Sequence, residues 1–124
     1  MVLSVEARFH NFYATIKGRT GHMLNNARAR AKRKHLPCDL DYQFLANKLT
    51  AGYCEVTGLP FVIKSHNGKG HRTNSFSPSV DRIDNTKGYT KDNVRMVVWI
   101  YNRAKGAFPI NDLLVMLQAL NNKS

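Results

Sequence analysis

Apolar positions recur along this chain with two different periods, and the change from one to the other divides it in two. Near the start, Phe9, Phe12, Tyr13 and Ile16 fall at i, i+3, i+4 and i+7 behind Ser4, which predicts a capped helix with one buried stripe. Gly18 and Gly21 are expected to interrupt it. A second helix is predicted from about His22 to His35, with Met23, Leu24, Ala27 and Ala31 on one side, and Pro37 prevents its continuation. Asp41 caps a third, in which Tyr42, Leu45 and Leu49 share a face and Gly52 is the stop.

Beyond Gly52 the period shortens. Tyr53 to Ile63 reads as a β-hairpin around Thr57-Gly58, and residues 64 to 76, rich in Gly, Ser, Asn and His, read as a connecting loop that could close over a ligand. Val80 and Ile83 flank Asp81 in a short strand that stops at the turn signal Asp84-Asn85-Thr86-Lys87-Gly88. Val94 to Val98 is β-branched enough to pair back on it, which makes a second hairpin. From Trp99 a helical spacing takes over, with Trp99, Asn102 and Arg103 at i, i+3 and i+4 and Gly106 as its end; Trp99, beside Val98 and Ile100, is expected in the core. Asn111 caps a last helix whose Leu113, Met116, Leu117 and Leu120 form a stripe expected to pack back on the domain. The predicted class is α+β: a helical N-terminal half (1–52), a hairpin and strand–strand–helix core (53–108) and a C-terminal helix (109–124), all in a single domain.

Charge narrows the partners. The 124 residues carry a formal +11, and between Arg8 and Lys34 there are eight Lys or Arg residues and no acidic one. Arg28, Arg30, Lys32, Arg33 and Lys34 sit in a single run on the polar side of the second predicted helix, which points to nucleic-acid phosphates. A membrane-surface role would need larger apolar residues opposite the basic face, and there is neither a run of spanning length nor a cleavable signal pattern. A cytoplasmic protein without a membrane partner is therefore expected. Cys38 and Cys54 lack paired Cys-x-x-Cys half-sites, so free, partly buried thiols are expected rather than structural zinc, and His66 and His71 in the Gly-rich loop read as solvated.

The candidate chemistry lies between residues 77 and 108. A strand–strand–helix unit of this length can aim the Asp81 carboxylate and the Asn102 amide oxygen at one point, and two hard oxygen donors favour Mg²⁺ or Mn²⁺. Taken singly, each residue has a plainer role: Asp81 and Asp84 as turn formers, Asn93 as a turn cap, and Asn102, Arg103 and Lys105 as solvated helix positions.

Asp81-Arg82, then Asn93, then Asn102 nine residues on with Lys105 three further, resembles the HNH, or ββα-metal, endonucleases, above all the compact versions of bacteriophage and prophage sequences. The Cys-x-x-Thr-Gly-x-Pro-Phe pattern from Cys54 to Phe61 resembles the same proteins. The resemblance implies a phage-encoded endonuclease, at work in a bacterial host cell, that hydrolyses DNA phosphodiesters with one divalent ion bound to Asp81, Asn102 and a phosphate oxygen. It implies catalytic roles for Asp81, Arg82, Asn93 and Asn102. Phosphate contacts then fall to Arg28, Arg30, Lys32, Arg33, Lys34, Arg103 and Lys105, and the assembly to a monomer or weak homodimer. Arg82 stands where the family commonly has the general-base His, and a guanidinium cannot accept a proton. Asp84, His66 or His71 would then take the proton, or the ion would generate hydroxide unaided. A DNA-binding protein that keeps this scaffold and has lost catalysis is the alternative.

Overall fold

The computed structural model describes residues 15–63 and 74–123. The first predicted helix, with Phe9, Phe12 and Tyr13, and the loop bearing His66 and His71 lie outside the described residues. Within them the fold is α+β, with four helices and one two-stranded antiparallel hairpin. None of these helices is long and apolar enough to cross a membrane.

Helix α1 spans Ile16–Lys34. It runs straight through Gly18 and Gly21, against the sequence expectation, because Thr15 caps it by accepting from Gly18 N at 3.0 Å and because one side is buried along Thr20, Met23, Leu24, Ala27 and Ala31. Burial of that stripe outweighs the roughly 1 kcal/mol that each helical glycine costs relative to alanine. At the other end Lys32, Arg33 and Lys34 oppose the negative end of the helix dipole. His35 then turns left-handed (φ 54°) and donates its backbone N–H to Ala31 and Lys32.

Helix α2, Tyr42–Ala51, begins at Asp41, whose carboxylate accepts from Phe44 N at 2.8 Å, and ends at Gly52, whose φ of 86° suits a residue without Cβ. It buries Leu45 and Leu49 against α1, while Tyr42 stays exposed. The predicted hairpin after Gly52 is reduced to a tight turn with a single Tyr53–Pro60 bridge, since Pro60 has no N–H to extend a ladder. Glu55 fastens that turn to the sheet: its backbone N donates to Met96 O at 2.9 Å, and its carboxylate accepts from Met96 N.

Strands β1 (Pro78–Arg82) and β2 (Val94–Val98) pair in a register that puts Asp81 opposite Arg95. Their apolar residues close the core: Met96 and Val94 lie with Leu24, Leu45, Leu49 and Tyr89, while Val97 and Val98 lie with Cys54. Both cysteines are free thiols, Cys54 buried and Cys38 half-exposed. Helix α3, Trp99–Ala107, follows β2 directly, and Gly106 lies inside it rather than ending it. Trp99 is half-buried at the edge of the core, not within it.

Helix α4 covers Ile110–Lys123 and starts one residue before Asn111, where Pro109 O accepts from Asp112 and Leu113. Its apolar stripe does not pack back as expected: Met116, Leu117 and Leu120 are each more than half exposed, since α4 touches the rest of the described chain chiefly through α3.

Candidate active site and basic cleft

The hairpin and α3 make a strand–strand–helix unit in which residues on one side of β1 meet one side of α3. Asn102 reaches Ser79 and Val80, donating its amide N–H to Ser79 Oγ at 2.8 Å and to Val80 O at 3.1 Å. One turn on, Lys105 Nζ reaches Asp81 Oδ1 at 2.8 Å and Arg82 O at 2.7 Å. Asp81 and Asn102 thus sit along the same strand–helix contact, with their polar atoms committed to different partners.

Asp81 is 2% exposed, and both of its oxygens are taken. Oδ2 accepts from Arg95 Nε at 2.9 Å, the cross-strand partner that the register dictates, and Oδ1 accepts from Lys105. A second guanidinium nitrogen of Arg95 donates to the Tyr101 hydroxyl at 3.1 Å. Burial works against the Arg95 charge, but the Asp81 hydrogen bond and the nearby Tyr101 more than compensate and hold its pKa above the ordinary value. Two positive charges therefore surround one negative charge in a largely dry position.

Arg82 and Asn93 organise the segment between the strands. Arg82 Nη1 donates to the carbonyls of Asn85 and Lys87, both at 3.0 Å, and its guanidinium carbon lies 4.9 Å from the centre of the Tyr89 ring. Asn93 is buried inside the same loop. It accepts from Asp84 N at 3.0 Å and donates to Asp84 O and Gly88 O at 3.0 and 2.8 Å. Asp84, one of the proton acceptors considered for the missing histidine, takes two bonds from Thr86; the hydroxyl bond above all pulls its pKa below the ordinary carboxyl value and makes it a weaker base.

The divalent ion implied by the resemblance can be tested against these contacts. Asn102 Oδ1 accepts no hydrogen bond from any described residue and is available as a ligand oxygen, but the Asp81 carboxylate is closed by Lys105 and Arg95. No group of three His, Cys, Asp or Glu among the described residues is placed to hold a metal. As arranged, the residues do not fit a cation.

Beside this cluster, basic residues gather along a cleft. An open cleft of about 470 Å³ runs between the C-terminal half of α1 and α3, with Arg30 and Lys34 on one wall and Asn102, Arg103 and Gly106 on the other. Ser79, Tyr89 and Trp99 also line it. A smaller hollow of about 220 Å³ continues it along α1 past Asn26, His22 and Arg19. Arg103 lies over the Trp99 ring at 5.6 Å. Among the described residues, no carboxylate lines either hollow.

The cleft brings together three of the seven predicted phosphate-contact residues. Arg28, Lys32 and Arg33 are exposed on α1 but do not line it, and Lys105 is turned inward to Asp81. Arg95, Ser79, Arg19 and Trp99 were not among the expected site residues. Arg95 becomes visible only through the hairpin register, and Trp99 only through its place at i relative to Asn102, Arg103 and Gly106 at i+3, i+4 and i+7 on α3.

No family model matches the chain. An uncharacterized 29.0 kDa protein from the dda-modA intergenic region of Enterobacteria phage T4 is 30% identical over 91 residues, which are 73% of this chain and 34% of that protein. The chain thus spans about a third of the length of that relative. Among solved structures, the rare-cutting HNH restriction endonuclease PacI superposes with a TM-score of 0.59, covering 99% of this chain and 89% of that one at 20% identity. The chain therefore has an HNH-like fold, with the β1–β2 hairpin and α3 as its strand–strand–helix unit.

Proposed function

We propose that this chain is a phage-type DNA nuclease that grips the sugar–phosphate backbone in the cleft between α1 and α3 and acts on it from the adjoining hairpin–helix unit. The observation that carries the reading is the cleft itself: Arg30, Lys34 and Arg103 face one channel that no carboxylate lines among the described residues, bordered by Asn102 and Ser79 of the HNH-like unit. Cationic side chains on two walls suit a polyanion, and half-buried Trp99 offers apolar surface to sugar or base. The HNH restriction endonuclease that shares the fold supports DNA as the substrate, and the phage protein that shares sequence supports a phage-type origin. Arg28, Lys32 and Arg33, on the outer face of α1, would extend the contact along the duplex. In this reading residues 1–52 supply the basic wall of one domain and residues 53–108 the reacting unit.

In this arrangement Asn102 orients Ser79 at the cleft edge, and Arg82 and Asn93 hold the loop between the strands in shape. Hydrolysis at Asp81 requires its carboxylate to be freed first. The second reading, an HNH-fold DNA-binding protein without turnover, is favoured by two facts: Arg82 is spent on loop carbonyls, and Asp81 on ion pairs.

Nicking of supercoiled plasmid in Mg²⁺, Mn²⁺ or EDTA, alongside filter binding of duplex DNA, separates the two. The nuclease reading expects metal-dependent nicking that Asn102→Ala reduces at least about tenfold, a loss typical for removal of one positioned polar group. It also expects Arg30→Glu/Arg103→Glu to weaken binding and to lower the log–log salt slope by about 0.9 for each phosphate no longer neutralised. Binding without nicking in any metal would establish the second reading. Unchanged binding by the cleft double variant would remove both.

A further inference from the structure

We infer that Lys105 is a built-in competitor for divalent cations at Asp81: its ammonium group occupies the carboxylate oxygen that a metal ion would need, so that losing Lys105 creates a metal site instead of destroying one. Three observations lead there. The Asp81 carboxylate has one charged donor on each oxygen, Lys105 on Oδ1 and Arg95 on Oδ2. With two positive charges against one negative, an incoming dication meets net repulsion, whereas without Lys105 the pair Asp81–Arg95 is neutral. The second potential oxygen ligand, Asn102 Oδ1, lies one helical turn from Lys105 and is open.

Of the two counter-charges, Lys105 is the one able to leave. Arg95 is pinned by its place opposite Asp81 in the sheet and by the Tyr101 hydroxyl, and its planar fork suits the carboxylate edge. Lys105, although its side chain is the less exposed of the two at 18% against 28%, holds on only through a single ammonium at the end of a flexible stem, shared between Asp81 Oδ1 and the Arg82 carbonyl. The inference concerns cation affinity alone and holds whether or not the protein cuts DNA.

The test is a Mn²⁺ titration of the purified chain without DNA, read by the electron-paramagnetic-resonance signal of free Mn²⁺. Lys105→Met should bind Mn²⁺ at least about tenfold more tightly than the parent, as expected for removing a like charge a few ångströms away. Lys105→Arg, which keeps the charge, should stay near the parent, and Asp81→Asn in the Lys105→Met background should abolish the gain. Lys105→Gln, which still donates to the Arg82 carbonyl, is titrated in parallel so that misfolding of one variant, seen by circular dichroism, leaves the comparison intact. Lys105→Met and Lys105→Gln binding no more tightly than the parent, whether all bind or none does, would overturn the inference. So would a gain that survives Asp81→Asn.

Discussion

Two groups of charges meet along α3, one reaching to the hairpin and the other to α1, and they are used in opposite ways. At Asp81 the charges are paired, with Arg95 and Lys105 closing on a carboxylate that water barely reaches. In the cleft Arg30, Lys34 and Arg103 make no ion pair with any described carboxylate. Pairing marks charge that supports the fold; unpaired charge gathered in a cleft is available to a ligand. In sequence the two groups look alike. The difference also changes how a mutation is read, because a fall in activity on removing Asp81 would mix missing chemistry with damaged structure.

The largest expected effect follows from that contrast. Asp81→Ala leaves Arg95 and Lys105 facing each other without a counter-charge in a mostly buried position, which should cost about 3 kcal/mol of stability. Arg30→Glu/Arg103→Glu, changing exposed residues that have no ion partner among the described residues, should move stability by less than about 0.5 kcal/mol. Urea unfolding followed by circular dichroism measures both. Comparable losses in the two proteins would erase the distinction between a structural cluster and a ligand surface.

Much of the fold was readable in the sequence because its signals are local. Asp41 and Gly52 bracket α2, and the β-branched run Val94–Val98 gives way to helical spacing at Trp99, as found. One misreading has a tertiary cause and the other a local one. Gly18 and Gly21 look like breaks until the buried face of α1 is known, and Pro60 reduces a hairpin to one bridge. The candidate site was legible only in part. The spacing of Asp81 and Asn102 gave their common strand–helix contact, but nothing near Arg95 in the sequence marks it as the partner of Asp81, since between Val94 and Met96 it resembles any outward strand residue. Lys105, read as a phosphate contact, faces inward because α3 lies along β1 with Asn102 over Ser79 and Lys105 over Asp81. Such pairings depend on register and helix placement, which a single sequence leaves open.

A middle-sized effect tests what joins the two regions. The loop after β1 docks on the segment that follows α1: Tyr89 N donates to Pro37 O at 2.9 Å, and Asp39 N to Tyr89 O at 3.3 Å. At Gly88 a Cβ would lie 2.2 Å from Pro37 O and 2.8 Å from its ring. A backbone atom cannot yield as a side chain does, so Gly88→Ala should cost about 2 kcal/mol by overpacking. It should also speed hydrogen exchange at the Tyr89 amide. A wild-type unfolding midpoint would mean that the seam is loose and that the cleft walls are not held in register through it.

The smallest effect should raise stability while touching neither charge group. His35 ends α1 in the left-handed region at φ 54°, where a side chain costs an L-residue roughly 1–2 kcal/mol. What the position supplies is backbone bonding: its own N–H reaches Ala31 O and Lys32 O, and the following Leu36 N reaches Ala31 O at 2.9 Å. Glycine keeps those bonds and removes the strain, while the greater freedom of the unfolded chain gives back roughly 0.4–1 kcal/mol. The net gain for His35→Gly is about 0.5 kcal/mol, a rise in melting temperature of about 2 °C for a chain of this size. DNA affinity should be unchanged, because Lys34 and Arg30 stay on the same helical turns. A fall in melting temperature would show that the exposed imidazole makes a contact worth more than the strain, and a fall in affinity alone would show that His35 contacts the DNA.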